Sequence, residues 1–275
     1  MSDLRVRQEP LRIVPTAVAS RPWQVLGGKG SLRLVERHAR VGRHLWLMIL
    51  SGIGEPLFYL LSIGVGLGQL VGTVGGVSYT AYVAPALLAT SSMNGAIYDS
   101  TFNVFFQIKY AKTYDAARAT PMRAPDLALG QVLWALIRGT IYAFAFTCVM
   151  LAMGLFHSYW AICVLPAAVL TGFAFAAAGM AATTFMRSWQ DFEYVTLAIV
   201  PMFLFSTTFY PLSVYPPAIA VVVECTPLYQ AVTLMRDLAL GTVGPGLLWR
   251  VAYLAIMGLA GLYLAGRRVG RLLLT

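Results

Sequence analysis

Three ionisable residues fall inside otherwise apolar stretches of this sequence: Glu55 in SGIGEPLFYLLSIGVGLG, Asp99 in YDSTF, and Arg138 in LALGQVLWALIRG. A charge carried into hydrocarbon is costly, so each needs a partner or a place on a transport path. Counting about 1.5 Å per helical residue from the basic ends, Glu55 lies about 15 Å deep, Asp99 about 12 Å and Arg138 about 17 Å. At a shared depth, a guanidinium between carboxylates on neighbouring helices would be partly neutralised. Two roles stay open: an ionic staple that registers the first three helices, or a part of the transport path or its gate.

Other chemistry is sparse. His38 and His44 lie in a basic arm and His157 in a short connection, so no histidine shares helical spacing with a carboxylate as a metal site requires. Cys148, Cys163 and Cys225 lack metal-ligand spacing. There is no GxSxG nucleophile motif. The only GK pair, in VLGGKGS, has Trp23 where a phosphate-cradling loop needs its first glycine. The chain is therefore expected to hold no metal, cofactor or ATP site of its own. Any uphill movement it performs must draw on another subunit or on an ion gradient.

The elements that position these residues are membrane helices. The 275 residues are 59% hydrophobic and 11% charged, with mean hydropathy +0.71, whereas soluble domains carry roughly 25% charged residues. Six stretches are long enough to cross hydrocarbon, at 45–70, 79–106, 127–155, 159–185, 194–212 and 246–266. The predicted fold class is thus an all-α membrane protein with six transmembrane helices. Of the 20 Lys and Arg, nine lie in residues 1–44, four in 107–126, one at Arg187 and three at Arg267, Arg268 and Arg271, while the alternate connections GTVGGVSY and FHSYW have none. By the positive-inside rule both termini are cytoplasmic, in a multi-pass protein of the plasma membrane. The basic residues are topology signals and contacts for anionic headgroups, and no nucleic-acid partner is expected.

Residues 1–29, with Pro10, Pro15 and Pro22, read as an irregular cytoplasmic N-terminus without the features of a removable signal. GSLRLVERHARVGRH, residues 30–44, mixes Leu32, Leu34, Val35 and Val41 with arginines, as an interfacial helix does. In the first span Gly64, Gly68 and Gly72 recur every fourth residue, and the fourth offers Ala174, Ala178 and Ala182. Such stripes let helices approach closely. Pro56 would bend the first helix beside Glu55.

Two connections carry more information. QIKYAKTYDAARATPMRAPDLALGQVLWALIRG, residues 107–139, contains a polar segment of helical character at about 109–119 before Pro121 and Pro125. In residues 209–241 an apolar run at 214–223 is too short to span and is bounded by Pro211, Pro216, Pro217 and Pro227, which predicts an outer re-entrant hairpin between helices five and six. There Glu224, Arg236 and Asp237 are expected near the surface, solvated or capping the hairpin. Aromatic residues of the second and third spans, among them Tyr98, Phe102, Trp134 and Tyr142, offer stacking faces that could line a path for a lipid or sugar, or simply face lipid and core.

TYDAARATPM followed by LALGQVLWALIRG resembles the permease subunits of type-2 ABC exporters, in the branch that includes nodulation lipo-oligosaccharide exporters and actinobacterial drug and lipid exporters. Trp134 and Arg138 match a tryptophan and arginine of that family's third helix, and Asp115 stands where glutamate is more usual. EPLFYLLSIGVGLG, with Glu55 and Pro56, resembles the first helix, and YDSTF the end of the second. The likeness covers about 35–270, so residues 30–270 are expected to form the exporter transmembrane domain and 271–275 a cytoplasmic tail.

The resemblance implies two permease chains, identical or related, paired with two cytoplasmic ATPase subunits that hold the ATP and Mg. The segment from Tyr110 to Thr120 would be the cytoplasmic coupling helix, with Tyr110, Lys112, Thr113 and Tyr114, then Asp115, Arg118, Thr120 and Pro121, facing the ATPase. The cargo would be amphipathic: a drug, a lipid or a lipid-linked glycan. Two other classes remain: an ion-coupled secondary transporter using Glu55, Asp99 and Arg138, and a membrane enzyme acting on a lipid. The first would usually show an inverted repeat, and the second clustered carboxylates or histidines; neither pattern is evident.

Overall fold

The computed structural model describes residues 31–36, 54, 57–109 and 124–274, almost all of them helical. Helix α1 (Leu57–Val71) is apolar and takes π geometry over Ser62–Leu67. A two-stranded hairpin follows, β1 (Thr73–Val74) against β2 (Val77–Ser78), with Val74 opposite Val77. Gly75 and Gly76 both take positive φ, 61° and 85°, as the mirror-image turn of a two-residue hairpin demands and side chains resist. Ser78 then caps the next helix, its hydroxyl accepting from the Ala81 N–H at 3.3 Å.

Helix α2 is α-helical over Tyr79–Tyr98, widens to π geometry over Asp99–Asn103 and resumes over Val104–Lys109. Such widening disturbs the regular ladder, and the Thr183 hydroxyl donates to the Ser100 carbonyl at 3.0 Å from outside the helix. Beyond it come α3 (Ala124–Ala152), α4 (Val164–Thr183, entered through a 3-10 turn at Tyr159–Cys163), α5 (Phe192–Leu204), α6 (Pro217–Glu224), α7 (Pro227–Leu240) and α8 (Gly246–Leu274).

Helix α4 is the hub, with α2, α3, α7 and α8 packed around it. Half of its membrane-length window is buried within the protein, against 22% for α3 and for α8. Its sequence explains the position: Ala174, Ala176, Ala177 and Met180 are wholly buried, and a helix apolar on all sides belongs inside. Small residues also meet across α4 and α8. A methyl added at Gly261 would sit 2.7 Å from the Ala177 carbonyl carbon, and one at Gly258 would sit 3.3 Å from Ala174 Cα. Backbone therefore rests almost on backbone.

Among the described residues, three helices are long and apolar enough to cross a membrane: α3, α4 with its leading turn, and α8. Helices α6 and α7 meet at 83°, and counting them as one broken span gives a fourth. Both begin with Pro at the first helical position, where the missing N–H costs nothing. The exposed ends are satisfied from nearby: Gln230 donates to the Glu224 carbonyl at 2.6 Å and Tyr253 to the Cys225 carbonyl at 2.8 Å.

Several boundaries differ from the sequence expectation. The fifth helix ends at Leu204 rather than 212. Ser206, Thr207 and Thr208 follow, and their hydroxyls turn inward: Ser206 bonds the Phe203 carbonyl at 2.8 Å and the Thr208 hydroxyl at 2.7 Å. Such side chains compete with the helical ladder, and Thr207 leaves it altogether at φ 59°. Gly72 is a turn residue with φ 71° instead of part of a packing stripe, while Gly64 and Gly68 do approach a neighbour, Thr80, whose hydroxyl donates to the Gly64 carbonyl at 2.8 Å. The last helix continues past 266 to Leu274, through residues assigned by sequence to the tail. Of the expected interfacial helix 30–44, residues 31–36 are described and are helical, with Leu34 buried against Gly130 at the start of α3.

Candidate functional site

Helices α2 and α3 are antiparallel neighbours, and their facing sides carry polar residues. The Arg138 guanidinium lies 3.1 Å from the Asp99 carboxylate, with the side chains 20% and 11% exposed. Arg138 also donates to the Tyr142 hydroxyl at 3.1 Å, one turn along α3, and Asn103 donates to Asp99 at 2.9 Å, one turn along α2. Farther toward the basic connection, Gln131 donates to Gln107 at 2.6 Å. From Asp99 to Gln107 is about two turns down α2, and from Arg138 to Gln131 about two turns back along α3. The two cross-links thus mark one antiparallel seam.

The structure thereby brings Asp99, Arg138 and Tyr142 together at one place. Glu55 and Pro56 lie outside the described residues, as do Tyr110, Lys112, Thr113, Tyr114, Asp115, Arg118, Thr120 and Pro121. Trp134 is half-buried on α3, one turn from Arg138. Tyr98 and Phe102 turn toward the other side of α2, in an aromatic cluster. Their ring centroids are 5.6 Å apart, and Phe102 stacks on the buried Phe192 of α5 at 4.1 Å, with Phe105 and Trp189 completing the group. The widened turn at Asp99–Asn103 lies between these two sites and serves both: Asp99 faces α3 while Phe102 faces α5.

A second buried cation lies elsewhere, and here the sequence expectation is corrected. Arg236 of α7 is only 9% exposed. Its guanidinium donates to the Thr207 carbonyl at 2.7 Å and the Tyr82 carbonyl at 3.2 Å, and lies 3.8 Å from the centroid of the Tyr82 ring. It is drawn inward because the irregular backbone at 206–208 is itself buried and needs donors. The Tyr82 and Tyr79 hydroxyls supply further bonds, to the Thr207 and Phe209 carbonyls at 3.5 and 3.3 Å. Asp237, next in sequence, points the opposite way and pairs with Arg250 of α8 and with the Thr242 hydroxyl.

Beyond α2, an apolar groove of about 910 Å³ opens between α2, α4 and α5, with Arg187, Ser188 and Asp191 at one end. The Asp191 carboxylate accepts from the backbone N–H groups of Arg187 and Ser188 at 2.6 and 3.1 Å. Those two bonds, Arg187 first, hold its pKa below the ordinary carboxylate value. Among the described residues no group of three His, Cys, Asp or Glu is placed to hold a metal ion.

Sequence reasoning missed the Gln107–Gln131 contact and the burial of Arg236. The glutamines had a readable signal, since each lies about two turns from a charged residue on the same helix face. Arg236 had none, because its ligands are backbone carbonyls of a segment expected to be helical.

Comparison with known proteins bears on the whole arrangement. The family described as ABC-2 type transporter matches residues 34–240, from the first described helical turn through α7. Nodulation protein J of Rhizobium leguminosarum bv. trifolii is 34% identical over 194 residues, covering 70% of this chain and 74% of the relative. Nodulation protein J of Sinorhizobium fredii is 30% identical over 228 residues, covering 82% and 87%. The inner membrane transport permease YadH of Escherichia coli is 25% identical over 160 residues, covering 58% and 62%.

Proposed function

We propose, from the premise that this chain belongs to the ABC-2 type transporter family, that it is the permease subunit of an ATP-driven exporter. It forms the path for an amphipathic substrate across the plasma membrane. The single observation that carries this reading is the family match across 34–240, which takes in the α2–α3 seam, the segment between those helices and the bent α6–α7 pair. Its relatives, a nodulation protein and an inner membrane transport permease, fit a membrane transport role.

In this reading six spans alternate from cytoplasmic termini, and α6 with α7 forms the outer re-entrant hairpin. Two permease chains pair with two cytoplasmic ATPase subunits, which bind ATP and Mg. Residues 110–120 form the coupling helix that receives the ATPase stroke. The α2–α3 seam is the direct mechanical successor of that segment, because the two helices it joins are the ones held together by Asp99–Arg138 and Gln107–Gln131.

Purification with natural partners, followed by export assays in vesicles, tests the proposal. A co-purifying ATPase and ATP-dependent export are expected. Proline substitutions within 112–117 should leave the protein in the membrane and ATP hydrolysis running while export falls at least tenfold. Export by the lone chain driven by a proton gradient would instead establish the ion-coupled alternative, for which the Asp99–Arg138 pair is the obvious relay.

A further inference from the structure

We propose that the groove between α2, α4 and α5 is a binding site for an anionic glycerophospholipid, its acyl chains along the groove and its phosphate between Arg187 and Arg268. This rests on the chain being a membrane protein and is independent of the export reading.

Three features of the groove point to that occupant. The first is its walls. One face of α4 lines it with Phe175, Ala178, Gly179 and Ala182, and one face of α5 with Val195, Ala198, Ile199 and Met202. These spacings are those of single helix faces. Thr101 is the polar residue on the α2 side, and its hydroxyl is already spent on the Ile97 carbonyl at 2.6 Å. The inner groove therefore offers no polar group in need of a partner, which suits hydrocarbon.

The second is its depth. From Asp191 to Met202 is eleven helical steps, about 16 Å, close to half of a hydrocarbon core about 30 Å thick. The groove is one leaflet deep. Its volume of about 910 Å³ falls in the range of about 300–1,000 Å³ usual for ligand sites.

The third is its mouth. Arg187 is exposed, and the Arg268 guanidinium lies 3.7 Å from the ring centroid of Phe185, a groove-lining residue. Asp191 is the acidic residue among those lining the groove, and its carboxylate is occupied by the Arg187 and Ser188 N–H groups. Arg187 thus lines the groove beside a carboxylate that is already satisfied, and Arg268 lies against the ring of a second lining residue. Tyr194 and Trp189, 72% and 48% exposed, flank the opening, as aromatic side chains do at headgroup level. A zwitterionic headgroup would gain little from such a mouth, whereas an anionic one would gain from both arginines. The open side is kept because α5 packs chiefly on its flanking turn and on α7, standing off from α4.

The test uses the full chain in nanodiscs of phosphatidylcholine with or without phosphatidylglycerol, with retained lipid read by native mass spectrometry. Wild type should retain phosphatidylglycerol in preference to phosphatidylcholine. Arg187→Gln and Arg268→Gln should each lower phosphatidylglycerol retention about fivefold, the factor expected for one basic residue near an anionic surface, with phosphatidylcholine unchanged. Ala198→Phe, on the exposed α5 wall, should reduce retention of both lipids. Equal retention of the two lipids by wild type, or indifference to both arginine substitutions, would overturn the proposal. So would efficient cross-linking of Ala198→Cys to the same position in a second chain, which would show a helix in the groove. Export by the same variants is scored separately: loss of lipid preference with export intact leaves the export reading standing.

Discussion

Two arginines in this molecule, the half-buried Arg138 and the buried Arg236, are satisfied in opposite ways. Arg138 meets a carboxylate, Asp99, on the neighbouring helix, and both retain some exposure. Arg236 is more deeply enclosed and is held by two backbone carbonyls and an aromatic face. The first arrangement joins two regular helices and depends on both charges being present. The second joins a regular helix to irregular backbone and depends on the planar fork of one side chain. A carboxylate partner is thus one solution for a buried cation, and a kinked segment with spare carbonyls is another.

The largest effect should come from removing Arg236. Arg236→Ala removes the guanidinium bonds to the Thr207 and Tyr82 carbonyls, leaving Thr207 the longer bond from the Tyr82 hydroxyl, and since a hydrogen bond from a charged group contributes about 1.5–3 kcal/mol, the loss should be about 3 kcal/mol. Arg236→Lys should recover little, because an ammonium cannot reproduce the guanidinium fork. Thermal unfolding in detergent checks both, and full stability of the lysine variant would mean that charge alone suffices.

Next comes the Asp99–Arg138 pair, probed by Asp99→Asn, Arg138→Gln and the double variant. Each single change leaves one charge unmatched, so the double variant should be more stable than the sum of the single losses implies. A coupling of about 0.5–3 kcal/mol is expected. Strict additivity in the unfolding midpoints would mean that the two charges act independently.

The smallest effect belongs to a charge at the surface. Asp191 has a depressed pKa, so its contribution is complete above the unfolded value of 3.8 and fades as the pH falls through the lower folded value. The difference in melting temperature between wild type and Asp191→Asn should be steady at neutral pH and close below pH 3.8. A gap that persists in acid would remove the carboxylate charge from the account.

Much of the helical layout was readable because hydropathy and length report burial in lipid directly. The third stretch, expected at 127–155, is Ala124–Ala152, and the fourth and last begin at Tyr159 and Gly246 as the apolar runs do. Depth alone grouped Asp99 and Arg138 with Glu55; the first two pair, and Glu55 lies outside the described residues. What escaped depends on backbone. The fifth stretch is apolar to 212, but hydropathy does not register that three consecutive hydroxyl residues can turn on their own carbonyls. Once that segment departs from the helix, Arg236 acquires ligands that no side-chain pattern announces. The widened turn of α2 was hidden for the same reason, since it shows only in how many residues fill a turn.

The near-contact of backbones at Gly258 and Gly261 with α4 has a mechanical corollary. Helices separated by a layer of long side chains can slide by letting those chains change rotamer. At Gly261 that layer is missing, since even a methyl there would press on the Ala177 peptide. Helices α4 and α8 must therefore travel as a single beam, and any rearrangement of this protein has to hinge around that beam instead of through it.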